Sequence, residues 1–145
     1  MNKLISVATQ FAKSKLAAFD GGHDWSHTER VLRLARQIQH AEQKGDLLTI
    51  ELAAILHDIA DTKFYDGDEQ EGGRIARSFL EENGLPQDQA KHVEQIINNL
   101  SFKKSFEKVE FSSIEMEIVQ DADRLDAIGA IGRKVAGIWL GRPND

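Results

Sequence analysis

Apolar residues recur at intervals of three and four along almost the whole chain, and no alternating β-branched run interrupts them. The pattern predicts an all-α protein. Leu4, Ile5, Ala8, Phe11, Ala12, Leu16 and Phe19 form one stripe of a first helix, which stops at Asp20-Gly21-Gly22. A second helix opens near Trp25 or Ser26, where Ser26-His27-Thr28-Glu29 has the spacing of a capping box, and it ends before Gly45. Asp46 then caps a third, Leu47 to about Ala60, which is apolar on most sides and so belongs at the centre of a bundle. The polar stretch from Asp61 to Glu69 reads as an exposed loop. Glu71 to Asn83 makes a fourth helix with Gly84 as its stop, and Pro86 starts a fifth that runs to about Asn99. After a loop from Ser101 to Phe111, a sixth helix spans Glu115 to about Ala127, with a continuation after Gly129 from Ile131 to Leu140. Residues 1–145 are expected to form a single compact bundle of about six to seven helices.

Composition narrows the chemistry available to this bundle. The 145 residues suffice for one core without covalent staples, and the absence of cysteine removes disulfides, thiolate metal sites and a cysteine nucleophile. Any metal must be held by nitrogen and oxygen. No apolar run approaches a membrane span and the amino terminus turns polar too early for a signal peptide, so a cytoplasmic protein without membrane partners is expected. The formal charge of -6 disfavours long polynucleotides, whose non-specific binding rests on many lysine and arginine contacts to phosphate.

Five histidines are present, two of them followed by aspartate: His23-Asp24 and His57-Asp58. The second pair lies within the apolar run Leu52 to Ala60, where an unpaired charge costs several kcal/mol and a divalent cation would compensate it. On the bland alternative, the pair marks the solvent edge of a helix near its end. A second acidic cluster, Asp121, Asp123 and Asp126, lies above Ile114, Met116, Ile118, Val119 and Leu125. Three such neighbours repel unless cations or hydrogen bonds hold them.

His27, then Leu56-His57-Asp58-Ile59-Ala60-Asp61, then Asp121-Ala122-Asp123-Arg124-Leu125-Asp126-Ala127-Ile128-Gly129-Ala130, resembles the H…HD…D pattern of the HD-domain metal-dependent phosphohydrolase superfamily. The wording around His23 to His27 and Asp123 to Gly129 is similar to that of small bacterial members predicted to hydrolyse nucleotides. The resemblance covers roughly Phe19 to Ile131 and implies His27, His57, Asp58 and Asp123 as ligands of one divalent ion. Asp121 stays open as an alternative to Asp123. Such a site suits manganese, magnesium, nickel, iron or zinc. Its relatives continue past the last motif with further helices, whereas this sequence ends at Asp145, which leaves activity in question and offers Ile138, Trp139 and Leu140 to a partner or a homodimer.

Around that core the resemblance implies a catalytic role for Asp61, orienting or deprotonating the attacking water, with a loop cap as the alternative. His23, Lys103 and Arg124 are the candidates for substrate contact; Arg30 and Lys104 also lie near the expected mouth. For His23 an ordinary loop histidine, and for the lysines a solvated basic loop, are the alternatives. His92 is expected to be a surface or satisfied core residue, and Trp25 a hydrophobic anchor. Together these residues predict hydrolysis of a phosphoester or phosphoanhydride bond in a small phosphorylated compound, a nucleotide above all, by a metal-activated water. The competing expectation is a weak or inactive metal-containing nucleotide sensor.

Overall fold

The computed structural model describes the backbone of residues 2–18, 25–60, 70–102 and 111–140, with side chains up to Leu100 in the fifth helix and Gly129 in the sixth. Six helices account for nearly all of it: α1 (Lys3–Ala17), α2 (Trp25–Glu42), α3 (Leu47–Leu56), α4 (Glu71–Glu82), α5 (Gln87–Phe102) and α6 (Ile114–Leu140). There are no strands among the described residues.

Helix α3 occupies the middle and packs against α1, α2, α5 and α6. Its sequence explains that position, because Ile50, Leu52, Ala53, Ala54, Ile55 and Leu56 are all buried and leave it no polar face. Asp46 begins it as expected, accepting hydrogen bonds from the Thr49 amide at 3.0 Å and the Thr49 hydroxyl at 2.6 Å. Around it, α2 lies along α6 and α4 pairs with α5. The link from α2 to α3 turns on Gly45 at φ +90°, where a side chain would be strained and would press on Ile50. Gly84, at φ +92°, ends α4 in a Schellman motif, with the Leu85 amide reaching the Leu80 carbonyl and the Gly84 amide reaching that of Glu81.

Several boundaries differ from those read along the chain. Helix α3 stops at Leu56 rather than near Ala60, so His57 and Asp58 stand on the turn that follows it. His57 Nδ1 donates to the Ala54 carbonyl at 2.7 Å, the acceptor a further helical turn would use, and Ile59 folds back into the core. At the start of α2, Trp25 is already helical, so Ser26 sits in the first turn instead of capping it. Trp25 packs against the core as an anchor. Helix α5 continues through Ser101 and Phe102, and α6 runs unbroken across Gly129, a residue that costs a helix interior only about 1 kcal/mol relative to alanine. No described helix is long and apolar enough to cross a membrane.

Candidate metal centre

Three of the chain's chemically informative side chains meet where the amino-terminal turn of α2, the end of α3 and the middle of α6 come together. His27 Nε2 lies 3.2 Å from Asp123 Oδ1, and His57 Nε2 lies 3.9 Å from the same oxygen. One ligand atom from each of the three falls within 4.8 Å of the others. The two imidazoles meet edge to face, with ring centroids 5.5 Å apart. His57 is nearly closed off, at 7% side-chain exposure, while His27 and Asp123 open to solvent at 32% and 37%, so the cluster is backed by core and reached from one side.

Each imidazole is held from behind. A carbonyl and an ionised carboxylate can only accept, so both rings carry their proton on Nδ1 and turn Nε2 toward the common point. For His57 the acceptor is Ala54 O; for His27 it is Asp126 Oδ2, at 2.7 Å. Asp126 is itself buried at 6% exposure and also takes Arg30 Nε at 2.6 Å. Burial alone would push the Asp126 carboxyl up, but the hydrogen bonds from Arg30 and His27 outweigh it and hold it below its usual value. A backbone carbonyl behind one ring and a carboxylate behind the other is the support that metal-ligating histidines ordinarily have.

The electrostatics suit a cation. His27 is raised from 6.5 to about 9, chiefly by its hydrogen bond to Asp123, against the opposing effect of burial, with Asp126 and the charge of Asp58 adding to the rise. Without an ion, a proton on His27 supplies the positive charge that the surrounding carboxylates favour. The residues therefore fit a divalent ion in donor type, direction and charge.

Asp58 stands beside this cluster and acts on His27 through its charge, but its carboxylate is not among the three converging groups. Asp121 lies on the exposed face of α6, 3.9 Å from Arg124, and its carboxylate is not among the three converging groups. His23, Asp61, Lys103 and Lys104 lie outside the described residues, as do the side chains of Ile138, Trp139 and Leu140. His92 is at the other end of α3, bonded to Ser113 Oγ at 2.9 Å in a polar group with Asp46, Thr49 and Gln89. What the chain reading missed is Asp126 with Arg30. The signal was there: Arg30 follows His27 by three residues and Asp126 follows Asp123 by three, so each lies one turn along from a candidate ligand.

The model of the HD domain family matches residues 24–128, well over half of the chain. The uncharacterized protein YpgQ of Bacillus subtilis is 39% identical over 136 residues, a match that takes in 90% of this chain and 63% of YpgQ. The chain thus spans somewhat under two thirds of that relative's length. Among solved structures, an HD-superfamily hydrolase from Bacillus thuringiensis is 35% identical, with a TM-score of 0.71 over 97% of this chain and 68% of its own. Bacillus subtilis YpgQ in complex with ADP matches at a TM-score of 0.69 and 31% identity, over 97% of this chain and 69% of that one. A family match that runs from just before His27 to just past Asp126, on a helical frame shared with these relatives, makes the chain a member of the HD-domain phosphohydrolase superfamily.

Proposed function

We propose that this chain is a divalent-metal-dependent phosphohydrolase that cleaves a phosphoester or phosphoanhydride bond in a small phosphorylated compound, a nucleotide by preference. The observation that carries the reading is the convergence of His27 Nε2, His57 Nε2 and Asp123 Oδ1, with both histidines tied from behind. His27, His57 and Asp123 would hold the ion with Asp58 as a fourth ligand, and a set of nitrogen and oxygen donors suits manganese, magnesium, nickel, iron or zinc. When bound, such an ion supplies Lewis acidity toward a phosphoryl oxygen and a lowered pKa for water. Asp61, three residues past Asp58, takes the proton of the attacking water. His23, Lys103 and Arg124 are the substrate contacts, and Lys103 meets the phosphates.

Two observations support a nucleotide over a polymer. YpgQ, 39% identical, has been crystallised with ADP. The charge of -6 leaves few cations for a long phosphate backbone, whereas one ion and one or two basic side chains can neutralise a compact phosphate chain. The test is an assay across nucleoside mono-, di- and triphosphates with manganese, nickel or magnesium and with products identified. Release of phosphate or pyrophosphate from at least one is expected. Nucleotide binding without turnover of any would favour the sensor, and strongly salt-dependent binding to polynucleotide would refute the substrate class.

A further inference from the structure

We propose that Arg30 and Asp126 form a positioning pair that sets the aim of His27, so that the affinity of the centre for its ion depends on two residues that offer the ion no ligand. The inference rests on the metal-centre reading above.

Its basis is a doubled spacing across one helix contact. His27 and Arg30 stand three residues apart on α2, and Asp123 and Asp126 three apart on α6, so each pair shares a face of its helix. Where α2 lies along α6, the inner pair is His27 with Asp123 and the outer pair is Arg30 with Asp126. The outer pair is joined to the inner one through a single carboxylate. Asp126 Oδ2 receives His27 Nδ1 at 2.7 Å and Oδ1 receives Arg30 Nε at 2.6 Å, with Arg30 Nη2 also 3.4 Å from Oδ2.

A carboxylate held by one imidazole alone could turn about its own bond and let the ring swing. The planar guanidinium removes that freedom, because its fork meets both oxygens in one fixed plane. The ring plane of His27 is then set by Asp126, and the plane of Asp126 by Arg30. Nδ1 is on the far side of the ring from Nε2, so Asp126 sits behind the donor and does not compete for the ion. His57 takes the same support from a backbone carbonyl, which a side-chain substitution cannot remove. Of the two imidazoles, His27 is thus the one whose aim is under side-chain control.

The experiment titrates manganese into the metal-free full chain by calorimetry and records the visible spectrum of the cobalt-loaded form. Arg30→Met and Asp126→Asn are expected to lower manganese affinity by about 10- to 100-fold, the usual reach of a group behind a ligand, with helicity by far-UV circular dichroism retained and the cobalt bands shifted. Arg30→Lys keeps the charge but loses the fork, so it should fall between Met and the parent. It also decides the matter if Arg30→Met does not fold. Affinities within twofold of the parent and unchanged cobalt spectra would overturn the proposal, as would loss of affinity only together with loss of helicity in all three variants. His57→Ala separates this from the reading beneath it. If His57→Ala binds manganese as the parent does, the metal centre itself is wrong; if it loses the ion while the Arg30 and Asp126 variants keep it, only the positioning pair falls.

Discussion

Loading the centre with a divalent cation at neutral pH should expel close to one proton from His27. In the metal-free protein the ring titrates at about 9 because Asp123, Asp126 and Asp58 favour its charged form, so at pH 7 it is almost wholly protonated on both nitrogens. An ion needs the neutral imidazole with Nε2 vacant, and binding must displace that proton. Counting His27 alone, about one proton leaves per ion at pH 7 and about half of one at pH 9, where half the rings are already neutral. The same competition makes the apparent affinity rise about tenfold per pH unit from pH 7 toward 9 and then level off. Titrations with manganese in two buffers of equal pH and different ionisation enthalpy read the proton directly, and a series from pH 6.5 to 8.5 reads the slope. Less than about a third of a proton released at pH 7, together with an affinity flat across that series, would refute the assignment of His27 as a protonated ligand position.

The same shift bears on folding without metal: a pKa raised from 6.5 to about 9 contributes stability that is complete below pH 6.5 and lost as the pH climbs through 9, so the metal-free melting temperature should fall across that window. A melting curve that rises with pH there would contradict it. Asp58→Ala should hold less metal than the parent after equal loading, by elemental analysis, and equal contents would remove Asp58 from the ligand set. Asp61→Asn should keep its metal and lose about 10² to 10⁴ in rate if Asp61 is a general base; loss of metal as complete as in Asp58→Ala would give it a ligand's role instead. Two adjacent glycines of α4 should respond in opposite directions in urea denaturation. A Cβ on Gly73 would overlap the Asn98 amide oxygen and crowd Glu94, so Gly73→Ala should cost about 1 kcal/mol net, whereas on Gly72 it meets Ala60 Cβ at 3.4 Å and Ile97 Cγ2 at 3.8 Å, both ordinary contacts, and Gly72→Ala should add up to about 1 kcal/mol.

Much of this molecule is set by local rules that a linear reading can apply. The periodicity of Leu52 to Leu56 demands burial on all sides, and burial on all sides puts α3 at the centre. Asp46 as a cap and Gly84 as a stop depend on neighbours a few residues away, and both stand where the chain places them. The order and flanks of His27, His57-Asp58 and Asp123 are enough to identify the superfamily.

Other features depend on partners far along the chain. The residues near His57 leave open whether α3 ends there or runs on to Ala60; the imidazole taking the Ala54 carbonyl is local, but it is Ile59 returning to a core built by the other helices that goes with the end at Leu56. In sequence, Asp121, Asp123 and Asp126 are three similar carboxylates, and they acquire different surroundings only when α6 meets α2. Asp121 then faces solvent, Asp123 faces two imidazoles, and Asp126 is closed in between His27 and Arg30. Ninety-nine residues separate His27 from Asp126, and it is the packing of one helix against another, not any property of either segment, that brings them to 2.7 Å.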